Sequence, residues 1–258
     1  MGAALDCSPV QSKAKRFAAR QTEGQLPPMN KTALIFDVDG TLAETEESHR
    51  RAFNETFGEA GLDWHWNVER YGELLLTMGG KERMRAHREE IGADEPDDQT
   101  IRELHARKTV RYGEIVAAGG LVLRTGIAEL IKAARSNGVP LAVATTTTRE
   151  NVDILCQVCL GEGADDVFDA IAAGDEVANK KPAPDIYRLA LERLDMPPDQ
   201  AIAFEDTRNG VLSAKAAGLK VIASPSSYSR GEDLSDADWL VQDWSIDELP
   251  PVLRALTG

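Results

Sequence analysis

The chain has 258 residues, and its 43 acidic side chains outnumber 29 Lys and Arg to give a formal net charge of −14. Such a surface argues against a nucleic-acid partner, which favours basic patches. No apolar stretch approaches the roughly 18 residues needed to span a membrane, so no membrane partner is expected either.

Residues 1–30 are rich in Ser, Gln, Lys, Arg and Pro, with no signal-peptide core, and read as a disordered tail. The three cysteines, Cys7, Cys156 and Cys159, form no disulfide framework. Cys156 and Cys159 lie in a helically periodic stretch with no second pair or histidine nearby, and are expected to pack in the core. Reduced cysteines fit a cytoplasmic location, whereas a targeting remnant in the tail would place the chain in an organelle stroma.

The first strand signal is Ala33-Leu-Ile-Phe36, followed by Asp37-Val-Asp39-Gly40. A short apolar run ending in glycine reads as a strand buried on both faces of a parallel sheet. Side chains alternate along a strand, so Asp37 and Asp39 project to the same side at its carboxyl end, where open α/β sheets bind ligands. Two adjacent carboxylates repel, and a hard divalent cation such as Mg²⁺ relieves that repulsion. One carboxylate can then attack phosphorus while the other handles a proton. A polar turn is the plain alternative. A calcium loop is excluded, because Gly40 comes fourth rather than sixth and Ser48 occupies the twelfth place.

Helical patterns follow over 44–57, 67–76, 81–91 and 98–118 without a strand signal, until Gly119-Gly120 breaks them. Beyond residue 125 strands and helices alternate. Thr125 is a plausible N-cap for a helix over 127–136. Strands are expected at 139–144, 170–173, 201–204, 220–223 and 239–241, and helices at 149–160, 185–194 and 211–217, the last stopped by Gly218. The fold class is therefore α/β, a doubly wound, Rossmann-like parallel sheet with a small all-α domain inserted after strand one. The boundaries are 31–44 and 119–258 for the core and 45–118 for the insertion, which would sit over the ligand crevice as a lid.

Three more strand ends carry polar groups. Thr145 to Thr148 can offer hydroxyls and N–H groups to a phosphoryl oxygen, or simply cap the next helix. Lys180 and Lys181 precede Pro182, which can fix a positive charge, or both are simply solvated. Glu205 and Asp206 follow the strand at 201–204, so one can ligate a cation directly while its neighbour acts through water, or they begin an acidic helix. A metal, a lysine and a hydroxyl around a carboxylate nucleophile suit phosphoryl transfer.

These four segments, in this order, resemble the motifs of the haloacid dehalogenase superfamily, and the helical insertion resembles its small cap. The resemblance covers about residues 32–245. It implies Asp37 as the nucleophile forming an aspartyl phosphate and Asp39 as the acid/base. It further implies Thr145 and Lys181 as phosphoryl-holding catalytic groups, and Mg²⁺ held by Asp37, the Asp39 carbonyl and Asp206 with Glu205 assisting. Within the superfamily the chain is similar to the CbbY-type phosphatases, which remove the 1-phosphate of xylulose-1,5-bisphosphate. The segments that carry this are Asp39 to Glu47 with His49, Gly79 to Arg83, His105 to Lys108, and Ala144 to Thr147 with Asn151. By that resemblance Glu46, His49, Gly80, Lys81, Arg83, His105, Lys108, Thr146, Thr147 and Asn151 contact the sugar bisphosphate. A second phosphate needs a basic cluster, which Lys81, Arg83, Arg85, Arg107 and Lys108 are expected to supply. The chain is expected to be a monomer. A β-phosphoglucomutase-like mutase is the first alternative, and a non-catalytic sugar-phosphate sensor the second.

Overall fold

A computed structural model describes residues 32–254, so the tail assigned to 1–30 lies outside the described residues. Six strands form one parallel sheet: β1 (Ala33–Phe36), β2 (Leu141–Ala144), β3 (Ala170–Ala172), β4 (Ala201–Glu205), β5 (Lys220–Ala223) and β6 (Trp239–Leu240). Their order is β3-β2-β1-β4-β5-β6. The chain runs from β1 outward through β2 and β3, then crosses back to place β4 on the other side of β1. Strand order therefore reverses at β1, and the crevice beyond its carboxyl end is where such sheets bind ligands.

Alternation along the strands sorts the two faces by size. Leu34, Phe36, Leu141, Val143, Ile202 and Phe204 face one way, against α5 (Ile127–Ser136) and α6 (Arg149–Cys159). Ala33, Ile35, Ala142, Ala144, Ala201 and Ala203 face the other, against α8 (Asp185–Leu194) and α9 (Arg208–Ala216). Each fully buried Leu, Ile or Phe here contributes about 1.5–3 kcal/mol. The alanine-rich face leaves room for a large ring, and Tyr187 of α8 fills it with no exposure. Cys156 packs in the bulky face, and Cys159 lies partly buried against it.

Between β1 and β2 the chain forms α1 (Glu46–Glu59), α2 (Val68–Leu74), α3 (Gly80–Glu90) and α4 (Asp98–Ala117). No strand occurs there. These helices close around their own core of Phe53, Phe57, Trp66, Tyr71, Met84 and Ile101. Asn54 braces it, accepting from the Trp66 backbone N–H at 2.7 Å and donating to its carbonyl at 2.8 Å. The two chain segments that enter and leave this layer touch at an isolated antiparallel bridge, Ala43 with Leu123. The Arg124 guanidinium ties that crossing to the sheet by donating to Ser224 O at 2.9 Å and Pro225 O at 3.1 Å.

Some local expectations are corrected. Thr125 does not cap α5. Gly126 takes that position with φ +89°, and a Cβ there would stand 2.2 Å from the Trp244 backbone. Thr125 instead offers its carbonyl to the Trp244 N–H at 3.0 Å. β2 begins at Leu141 rather than at 139, because Pro140 brings no N–H to the ladder. The helix expected from 211 starts at Arg208, since the Thr207 side chain accepts from Gly210 N and caps it earlier. Short helices α7 (Ala164–Val167) and α10 (Pro251–Arg254) lacked a periodic signal of sufficient length.

Candidate active site

The carboxyl ends of β1, β2 and β4 open into one cavity roofed by α1, α3 and α4. Asp37 follows β1, and its N–H donates to Phe204 O at 3.0 Å, so it continues the strand pairing one step past β1. Asp37 shares the parity of Ala33 and Ile35, and Glu205 that of Ala201 and Ala203. Both therefore turn to the alanine-rich side, where the turn before α8 delivers Lys181. Its ammonium donates to Asp37 Oδ1 at 2.7 Å and to Glu205 Oε1 at 2.6 Å.

Carboxyl oxygens of Asp37, Glu205 and Asp206 lie within 4.8 Å of one another, all three residues buried. Asp206 turns to the opposite side from Glu205 and is held by Thr41 Oγ1 and Ser229 Oγ, each at 3.3 Å. Gly40 makes this approach possible: with φ +80°, a Cβ there would stand 2.2 Å from Asp206 Oδ2. Burial, then Asp37 and Glu205, push the Asp206 carboxyl well above its ordinary range. A buried group of like charges with hard oxygen donors fits a divalent cation such as Mg²⁺.

Burial also raises the Asp37 carboxyl to about 7, although Lys181 pulls it down. Lys181 moves up despite burial, because Asp37 and Glu205 flank it, and so remains an ammonium. Asp39 behaves in the opposite way. Burial would raise it, but His49, Thr45 and Lys108 outweigh that and hold it well below the usual carboxylate range. Thr45 donates to Asp39 Oδ1 at 2.6 Å, and His49 Nε2 lies 3.0 Å from the same oxygen.

The Lys108 ammonium stands 2.6 Å from His49 Nδ1 and 4.5 Å over the Phe53 ring. Burial lowers Lys108 to about 7, with Asp39 opposing. Beside it, burial and Lys108 lower His105 to about 3, so this imidazole is neutral. His105 reaches the cavity only because residue 80 is glycine, where a Cβ would meet its Nε2 at 2.5 Å. Arg83 donates to Leu74 O at 3.1 Å and to Tyr71 Oη at 3.1 Å, and Tyr71 in turn donates to Glu46 at 2.7 Å. On the floor, Asn151 Nδ2 donates to Thr147 Oγ1 at 2.9 Å, while Thr148 serves as the N-cap of α6.

Fourteen of the expected residues line this cavity: Asp37, Asp39, Glu46, His49, Gly80, Arg83, His105, Lys108, Thr145, Thr146, Thr147, Asn151, Lys181 and Asp206. Glu205 lies behind Lys181, and Lys81 lies outside the lining, paired with Asp175 in the turn after β3. The expected five-residue basic cluster does not assemble. Alternate residues on a helix sit roughly 200° apart, so Arg83 turns inward while Arg85 turns out to Asp98. Arg107 likewise pairs with Glu59 on the outer side.

Sequence reasoning passed over Thr45, Phe53, Tyr187, Asn209, Tyr228 and Glu232. Thr45 lies within the segment Asp39 to Glu47, and its spacing from Asp39 is the available signal. The others carry no motif and reach the site only through folding.

The model of the haloacid dehalogenase-like hydrolase family matches residues 31–218. Protein CbbY of Rhodobacter capsulatus is 57% identical over 228 residues, covering 86% of this chain and all of that protein. The crystal structure of CbbY from Rhodobacter sphaeroides in complex with phosphate superposes with a TM-score of 0.79 at 53% identity, over 83% of this chain and 94% of that one. A mutant of the same CbbY, solved in complex with xylulose-(1,5)bisphosphate, gives 0.79 at 52% identity with the same coverage. The chain belongs to the haloacid dehalogenase-like hydrolases and is an enzyme of the phosphatase type.

Proposed function

We propose that the chain is a Mg²⁺-dependent sugar-bisphosphate phosphatase that hydrolyses the 1-phosphate of xylulose-1,5-bisphosphate through an aspartyl phosphate on Asp37. The observation that carries this reading is a single cavity with cationic groups on opposite walls, Lys181 beside Asp37 in the floor and Arg83 and Lys108 in the roof. Two separated phosphates need two such places. The CbbY complex with xylulose-(1,5)bisphosphate supports the choice of sugar.

Asp37, Asp206 and the Asp39 carbonyl would hold Mg²⁺, which when bound neutralises phosphoryl charge and lowers the Asp37 carboxyl toward its nucleophilic form. Lys181 fixes Asp37 Oδ1, leaving Oδ2 to attack phosphorus. Thr145 and the backbone beyond it orient the phosphoryl oxygens at the floor. Asp39 gives a proton to the departing sugar oxygen, then takes one from the water that opens the acyl phosphate. The contacts from Thr45 and His49 keep Asp39 ionised at rest, so the proton it gives to the sugar oxygen is first taken from solvent or from the bound phosphate monoester. Residues 45–118 act as a cap that closes over the sugar and excludes bulk water.

The test is phosphate release from xylulose-1,5-bisphosphate, ribulose-1,5-bisphosphate and fructose-1,6-bisphosphate, with and without Mg²⁺. Preference for the xylulose ester, dependence on Mg²⁺ and loss of turnover in a folded Asp37→Asn variant are expected. Phosphate returned to the sugar instead of water would replace this reading with a mutase.

A further inference from the structure

We propose that Tyr187, which touches neither the cavity nor the expected ion, is a positioning residue that aims the Lys181 ammonium at the phosphoryl group. The inference rests on the phosphatase reading above, but not on which sugar is the substrate.

An ammonium has three N–H donors. Asp37 Oδ1 takes one at 2.7 Å and Glu205 Oε1 a second at 2.6 Å. Lys181 also lines the cavity, which leaves the third donor for the substrate. The direction of that donor is set by where its two fixed acceptors stand. Asp37 moves into bonding with phosphorus during the reaction, so Glu205 is the acceptor that stays in place throughout.

Tyr187 holds Glu205 there. Its hydroxyl donates to the same Oε1 at 2.6 Å. The Lys181 ammonium also lies 5.1 Å over the Tyr187 ring, which favours the cation. One side chain thus touches both members of the ion pair. The ring cannot shift, because it is fully buried against the alanine face of the sheet. On the far side α9 closes in: a Cβ on Gly210 would lie 1.9 Å from Glu205 Oε2. Glu205 is therefore pinned between a hydroxyl and a helix backbone. Without the hydroxyl, Glu205 keeps Lys181 on Oε1 and the Asp206 N–H at 3.3 Å on Oε2, and a small shift of Oε1 away from α8 draws Lys181 off line.

Tyr187→Phe isolates this role, since it keeps the ring, the packing and the contact with the ammonium while deleting only the O–H. Full-length wild type and variant are compared on xylulose-1,5-bisphosphate and on p-nitrophenyl phosphate, a generic monoester, with Mg²⁺ saturating. The expected result is a loss of about 10-fold in kcat on both esters, the size typical of removing an orienting partner. KM and the Mg²⁺ dissociation constant stay within about two-fold of wild type. Rapid quench should place the loss in formation of the phosphoenzyme, and circular dichroism at the assay temperature should show the variant folded. A kcat equal to wild type overturns the role, as does a rise in KM with kcat unchanged. A kcat loss that only tracks a fall in the folded fraction reduces Tyr187 to packing and overturns it too. Wild type active on the monoester but not on the sugar bisphosphate would refute the sugar assignment and leave this test intact.

Discussion

His49 Nε2 stands 3.0 Å from Asp39 Oδ1, while Nδ1 of the same ring faces the Lys108 ammonium at 2.6 Å. While it is an ammonium, Lys108 has donors only and no lone pair, so Nδ1 accepts from it and Nε2–H donates to Asp39. The ring is stacked on Tyr112 at 4.0 Å between centroids, which fixes its plane. His49 thereby ties the protonation of a roof lysine to the carboxylate that handles protons in the floor. Replacing it (His49→Ala) removes that tie while leaving Asp39 in place, and kcat is expected to fall about 10- to 100-fold, the size of losing an orienting partner rather than the acid–base group itself. Steady-state kinetics on xylulose-1,5-bisphosphate check this, and a wild-type kcat would reject the coupling.

The pH profile should be bell-shaped around neutrality. Asp37 attacks as the carboxylate, and burial raises it to about 7, so activity climbs as pH rises through that value. Lys108 holds an anion as the ammonium, and burial lowers it to about 7, so kcat/KM falls as pH rises further. A bound cation favours ionised Asp37, so the acid limb should move to lower pH as Mg²⁺ is raised while the alkaline limb stays. Profiles at two Mg²⁺ concentrations test the assignment. An acid limb indifferent to Mg²⁺ would remove Asp37 from the ion's surroundings.

Arg83 and Lys81 stand two residues apart but should behave differently. Arg83 is buried at the roof, and it donates to Tyr71 and Leu74, both on the roof side. Arg83→Gln should raise KM for a bisphosphate about 10- to 100-fold, the worth of a charge-assisted bond, and leave a generic monoester nearly unchanged. Lys81 reaches across to Asp175 and joins the roof to the turn after β3, where Lys180 also holds the carboxylate at 2.9 Å. These lysines keep Asp175 at about 2 against the effect of burial, so this carboxylate stays ionised at working pH. Because the contact is partly exposed, Lys81→Gln should raise KM by less than about five-fold, alike for both esters. A Lys81 effect confined to the bisphosphate would return that residue to direct substrate contact.

Gly210→Ala should damage both stability and activity. Its Cβ would be driven into the Glu205 carboxylate, which has no room to retreat from Lys181 and Tyr187. Overpacking of this kind costs about 1–3 kcal/mol. A lower denaturation midpoint with a reduced kcat is expected, whereas Gly58→Ala, with nothing within 4 Å of its Cβ, serves as the neutral control for space.

The sequence alone determined the class of fold and the floor of the site. Short apolar runs spaced by helical patterns dictate a parallel sheet, because only buried strands tolerate such runs. Asp37, Thr145 and Asp206 follow strand ends, so once the strands are placed their meeting is already implied. Cap signals were weaker: Thr125 looks like an N-cap, yet the Trp244 backbone comes too close to residue 126 for anything but glycine there. The tertiary structure decided the roof and the support. Helix rotation chose Arg83 over Arg85 and Arg107 to face the cavity, and spacing along the chain carries no record of that choice when every neighbour is also charged. Tyr187 stands beside Glu205 because the alanine face lets α8 approach the sheet, a contact made across 18 residues by packing rather than by any local pattern.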